Sequence, residues 1–109
     1  MKLVRDKIPD IIRGRGDECR VRKCDSDAEF HRLLFKKLAE ELREAEGGDV
    51  PHLTPDWLLE ELADVTEVVH ALLALNGWTL ADLERMRRKK HKTNGGFTKR
   101  LVLEEWWKR

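Results

Sequence analysis

From Val65 to Leu75 this chain is apolar almost all round: Val65, Val68, Val69, Ala71, Leu72, Leu73 and Leu75 leave a helix no broad polar face. A helix of that kind has to be covered on several sides. Yet 39% of the 109 residues are charged, so few other elements remain to cover it. By length, residues 1–109 form a single small domain. The expected fold class is all-α: an antiparallel helical bundle completed by oligomerisation, as a dimer or tetramer, with irregular N- and C-terminal segments.

Local signals place three helices. Ser26 with Glu29 three residues on has the form of a capping box, and Phe30, Leu34, Leu38 and Leu42, with Leu33 and Ala45, make an apolar stripe. Gly47-Gly48 stops that helix, and Pro51 lies in the loop that follows. Thr54-Pro55 opens the second helix, threonine as cap and proline at the first helical position, and Asn76-Gly77 closes it. Thr79 and Asp82 start the third, whose inner face is Leu80, Leu83 and Met86 and whose end is Asn94-Gly95-Gly96. Residues 1–24 read as irregular, with Pro9, Gly14 and Gly16 as breakers and at most a short helical turn over Ile8–Ile12.

The net charge of +1 conceals a partition: +4 over residues 1–24, −11 over 25–84 and +8 over 85–109. An acidic middle between basic ends suggests a cation-binding centre beside an anion-binding rim. Cys19 and Cys24 read as reduced thiols, because zinc would need two more soft ligands and the four histidines show no paired spacing. No apolar run is long enough for a membrane span, and the basic start lacks the apolar core of a signal peptide. A soluble, cytoplasmic protein without a membrane partner is expected.

The acidic residues of the middle are patterned. At about 100° per residue, Glu41 and Glu44 project from one face of the first helix, and Glu61 and Asp64 repeat the step on the second. Packed antiparallel, the helices would bring four carboxylates together, an arrangement that repels itself unless a cation neutralises it. Oxygen ligands with room for water and phosphate suit Mg²⁺, or Mn²⁺, better than Ca²⁺. Glutamate-rich helix faces are commonly just solvated, but Asp64 sits among Leu62, Ala63, Val65 and Val68, where a solvated carboxylate has no reason to be.

Glu40-Glu41-Leu42-Arg43-Glu44, followed after sixteen residues by Glu61-Leu62-Ala63-Asp64, resembles the E-E-x-x-E…E-x-x-D signature of the MazG-like all-α NTP pyrophosphohydrolases. That superfamily includes dimeric dUTPases and phosphoribosyl-ATP pyrophosphohydrolase. Lys2-Leu3-Val4-Arg5-Asp6-Lys7-Ile8-Pro9 and Gly95-Gly96-Phe97-Thr98-Lys99-Arg100 resemble a short single-domain branch regarded as house-cleaning enzymes. The resemblance implies a homo-oligomer, magnesium held by Glu41, Glu44, Glu61 and Asp64, and cleavage of a nucleoside triphosphate between its α- and β-phosphates. The products would be a nucleoside monophosphate and pyrophosphate. One departure is His70, where this branch often carries an acidic residue; on a largely buried helix it reads as a packed, hydrogen-bonded side chain.

Phosphoanhydride hydrolysis needs a positioned water, charge compensation at the phosphate oxygens and cations for the leaving group. Glu40 and Glu41 are the candidates for handling the water; for Glu40 a salt bridge or solvation is the alternative. Lys37, one turn before Glu41, either reaches a phosphate or pairs with Glu41. Arg5, Lys7, Arg88, Lys89, Lys99 and Arg100 are the candidate phosphate contacts, with Gly95 and Gly96 letting backbone N–H groups approach an anion. Trp57 reads as a core or interface residue rather than the wall of a base pocket, and Trp106-Trp107 as packing or interface residues. Two other functions compete: a non-catalytic helical interaction module, and a nucleic-acid binder using the basic run Arg85–Lys92. The four carboxylates weigh against the first, and the −11 centre weighs against the second.

Overall fold

A computed structural model of the chain describes residues 1–47 and 55–109. Among them are four helices and no strand: α1 (Ile8–Gly14), α2 (Asp27–Glu46), α3 (Trp57–Leu75) and α4 (Leu80–Asn94). They fall into two compact units, Met1–Gly77 and Trp78–Arg109. No helix among the described residues is long and apolar enough to cross a membrane.

In the first unit, the expected single turn near Ile8 is a seven-residue helix. Pro9 does not break it, because it occupies the first turn, where its missing N–H costs no hydrogen bond. Gly16, at φ 88°, turns the chain out of it. Ser26 caps α2 as its side chain accepts the Glu29 N–H at 3.1 Å. The Glu29 carboxylate takes the N–H of Asp25 at 2.9 Å and Arg22 at 2.7 Å, one residue earlier than a reciprocal capping box requires. The Arg22 hydrogen bond first, and the Asp25 N–H after it, hold the Glu29 carboxyl down at about 2.

Gly47, at φ 126°, ends α2; Gly48, Pro51 and Thr54 lie outside the described residues. The second long helix begins at Trp57 rather than at Pro55, which stands with Asp56 in the preceding turn. Proline serves there because the turn needs its fixed φ and not its N–H. The helix closes as expected: Asn76 donates from its side chain to the Leu72 carbonyl at 2.8 Å, and Gly77 adopts φ 76°.

α2 packs on α3, and the core they share is narrow: among the described residues, Leu33, Leu34 and Val68 are the buried apolar ones. The stripe Phe30-Leu34-Leu38-Leu42 does not stay in it, since each four-residue step drifts about 40° and Leu42 has turned about 120° away from Phe30. Leu42 is accordingly exposed, as are Phe35 on α2 and Leu58, Leu59 and Leu62 on α3. The apolar half of α3 is mostly half-buried within this chain, with Val68 its one buried residue, and His70 is exposed rather than packed.

In the second unit Thr79 and Asp82 form both arms of a capping box, at 3.2 and 2.8 Å. The helix ends at Asn94, where Gly95, at φ 82°, donates its N–H to the His91 carbonyl at 2.8 Å. The expected inner face is not covered: Leu80, Leu83 and Met86 are all exposed. Periodicity marks an apolar stripe without saying what will lie on it. After Gly96 a turn joins Phe97 to Arg100, and residues 101–109 have no regular secondary structure.

Candidate metal centre

Burial of the carboxylates begins in the register of the helices. Leu34 and Glu41 are seven residues apart, as are Glu61 and Val68, and seven residues return a helix to within about 20° of the same direction. Each glutamate therefore continues the face on which its helix presents a core residue. Glu41 is only 6% exposed, while Glu61 and Asp64 are half-buried. Glu41 neighbours both Glu61 and Asp64, and Glu44 neighbours Glu61, the order that antiparallel helices produce.

Glu41, Glu61 and Asp64 each bring a carboxylate oxygen within 4.8 Å of the other two. Octahedral magnesium at ~2.1 Å from its ligands holds adjacent oxygens about 3.0 Å and opposite ones about 4.2 Å apart, a spacing the three side chains can reach by rotamer adjustment. Among the described residues, Oε2 of Glu41 and Oε2 of Glu61 are buried without any hydrogen-bond partner. A buried carboxylate oxygen without a partner is costly, and a hard cation is the partner that oxygen ligands suit. The residues present thus fit a divalent ion.

Glu44 stands beside this three-residue group rather than within it. Burial first, and then the negative charges of Glu41 and Glu61, push its carboxyl above the ordinary glutamate value, so part of that rise comes from the negative charge of the cluster.

Two cations of the same unit offset part of it. Lys37 reaches Glu41 at 3.0 Å and Glu40 at 3.7 Å, so its ion pair with Glu41 is formed. Arg5 donates to Oδ1 of Asp64 at 2.6 Å. The sequence suggested a phosphate contact for Arg5 and gave no sign of this pairing, which bridges 59 positions. Glu40 is not one of the three clustered carboxylates; it pairs with Lys2 at 3.9 Å and shares Lys37 with Glu41. Lys7 is exposed at the start of α1.

The remaining candidate anion contacts belong to the second unit. Arg88 is engaged with Glu84 at 3.2 Å, and Lys89, Lys99 and Arg100 are exposed. Arg100 has φ 56°, in the left-handed region that non-glycine residues seldom occupy. Gly96 lies against His91, whose ring would be 3.1 Å from a Cβ added there. The basic run on α4 is less available to nucleic acid than its composition suggests, since Arg85 pairs with Asp82 and Arg87 and Arg88 pair with Glu84. No family model, characterised protein or solved structure matches the chain.

Proposed function

We propose that this protein is a magnesium-dependent nucleoside triphosphate pyrophosphohydrolase of the MazG-like all-α type. The observation that carries the proposal is the group Glu41, Glu61 and Asp64, gathered from two helices with two buried oxygens left without partners. Helix faces that are merely solvated do not enclose a glutamate to 6% exposure beside two other acids. Glu41, Glu61 and Asp64 hold the ion, with Glu44 adjacent as a further ligand; Mn²⁺ fits the same donors.

The bound ion supplies charge compensation at phosphate oxygens and lowers the pKa of water. Glu40, free of the ligand group, orients the attacking water, and Glu41 keeps one oxygen on Lys37. Lys37 and Lys7 in the first unit, and Lys99 and Arg100 in the second, are the proposed phosphate contacts. The products are a nucleoside monophosphate and pyrophosphate, and non-standard nucleotides are the proposed substrates. The exposed leucines of α3 support assembly as a homo-oligomer, because Leu58, Leu59 and Leu62 remain uncovered on a helix that is otherwise mostly apolar.

Pyrophosphate release from a panel of normal and modified nucleoside triphosphates, with and without magnesium, tests the reading. Metal-dependent release of one pyrophosphate per monophosphate supports it. Release of orthophosphate, or no turnover on any member of the panel, counts against it.

A further inference from the structure

We propose that Arg5 is a built-in counter-cation that a divalent ion must displace, so that metal binding releases the N-terminal segment from α3. The inference rests on the metal site proposed above. Its own observation is the pairing of Arg5 with Asp64 at 2.6 Å, shorter than the 3.0 Å contact of Lys37 with Glu41 in the same three-carboxylate group.

The group has one oxygen on Lys37, one on Arg5 and two buried oxygens with no partner. A guanidinium at Asp64 therefore supplies charge that an ion would otherwise bring. The two cations are poorly compatible. An ion on Asp64 would stand within a few ångströms of the guanidinium, and charges of like sign at that range repel appreciably outside bulk water. Lys37 and Arg5 are not equivalent in this respect. Lys37 is mostly covered and anchored by two glutamates on its own helix, whereas the Arg5 side chain is 55% exposed and comes from a segment with no regular secondary structure.

Arg5 can swing into water at little desolvation cost, and an exposed ion pair is weak enough for a dication to replace. What then still holds Arg5 is its carbonyl, which accepts the Ile8 N–H at 3.0 Å, and loss of the side-chain anchor weakens that link to α1. Displacement thus converts a metal-binding event into mobility around Arg5, between Lys2, which pairs with Glu40, and α1, and leaves a free guanidinium near the ion.

Two measurements on the full chain test this. Manganese affinity is measured by paramagnetic resonance for the parent, Arg5→Ala and Arg5→Lys. Competition predicts that Arg5→Ala binds manganese about three- to tenfold more tightly than the parent, since an exposed pair is worth only that much. Arg5→Lys, which keeps the charge, should lie between the two. Unchanged or weaker binding in Arg5→Ala overturns the proposal, because it would make Arg5 a support for the ligand rather than a rival of the ion.

Backbone hydrogen exchange of the parent is the second measurement, and it does not depend on how a variant folds. The Ile8 amide, which donates to the Arg5 carbonyl, should exchange faster with manganese bound while the amides of α2 and α3 slow. Slower or unchanged exchange at Ile8 overturns the displacement. If neither the parent nor the variants bind manganese, the metal site itself is wrong and the inference falls with it. That outcome differs from tight binding that ignores Arg5, which sinks the displacement alone.

Discussion

α4 and the α2–α3 pair carry the same kinds of charged residue with opposite results. On α4 every acid finds a cation on its own helix: Asp82 takes Arg85 at 3.1 Å, and Glu84 takes Arg87 at 2.6 Å and Arg88 at 3.2 Å. Those pairs sit three and four residues apart, the spacing at which a helix surface brings side chains together. Both acids have lowered pKa values: Asp82 through the Thr79 N–H first and Arg85 after it, and Glu84, down to about 2, chiefly through the Arg87 hydrogen bond. Between α2 and α3 the acids face acids, and Glu44 is pushed the other way, by burial first and then by Glu41 and Glu61. Charge satisfied within one helix is a surface property. Charge left over between two helices calls for a ligand.

The largest effect should come from breaking the leftover charge. Glu41→Gln and Glu61→Gln keep size and helix propensity but remove a ligand charge. Each should lower pyrophosphate release at least about 100-fold and abolish most of the thermal stabilisation that magnesium gives the parent. Without metal, each should fold at least as well as the parent, because one repulsive charge has gone. Full activity in both, with an unchanged magnesium-dependent melting shift, would place the acids of α2 and α3 in the same class as those of α4.

Next in size is the effect on assembly. Leu59 is 69% exposed on α3, and Leu59→Glu would put a charge into the proposed interface between copies. Burying an unpaired charge is costly enough to raise a dimer's dissociation constant by about 100-fold or more. Light scattering at micromolar concentration should show an oligomer for the parent and a smaller species for the variant. A monomeric parent would mean that α3, like α4, simply tolerates exposed leucines.

The same contrast explains what could be read from the chain before its structure. Ser26, Thr79, Gly77 and Gly95 act at helix ends, where the determinants lie within four residues, and each does what the local pattern predicts. The three-residue steps Glu41–Glu44 and Glu61–Asp64 were equally visible, and the heptad link Leu34–Glu41 could have shown that Glu41 is the acid of its pair that turns inward. The partner of Asp64 could not. Arg5 is 59 positions away in an irregular segment, and no periodicity connects a flexible arm to a helix it lands on. The cover of α4 escaped for a related reason: Leu80, Leu83 and Met86 form a stripe, but a stripe does not name its partner.

A smaller effect is expected from the basic residues after the glycines. Replacing Lys99 and Arg100 together with alanine should raise KM for the nucleotide about tenfold, as charge-assisted contacts to phosphate are lost. The melting temperature should barely move, since both side chains are exposed. An unchanged KM would remove this segment from phosphate recognition and leave Lys37 and Lys7 to carry it.

The smallest effect should be that of Glu84→Gln, and its smallness is the sharpest form of the comparison. Glu84 is a helical glutamate like Glu61, but its two arginines are neighbours on an exposed surface, where ion pairs contribute little. Turnover and magnesium affinity should stay at parental values, with a melting temperature lower by about 2 °C at most. The pH dependence follows from the lowered pKa. A carboxyl held at about 2 in the folded protein, against an ordinary 4.5, gives stabilisation that is complete above 4.5 and is lost as pH falls through about 2. The gap in melting temperature between parent and variant should therefore be constant from pH 7 to pH 5 and shrink only at lower pH. A variant that instead lost turnover would show that the charges of α4 serve the reaction, and the division between self-paired and leftover acids would no longer separate surface from site.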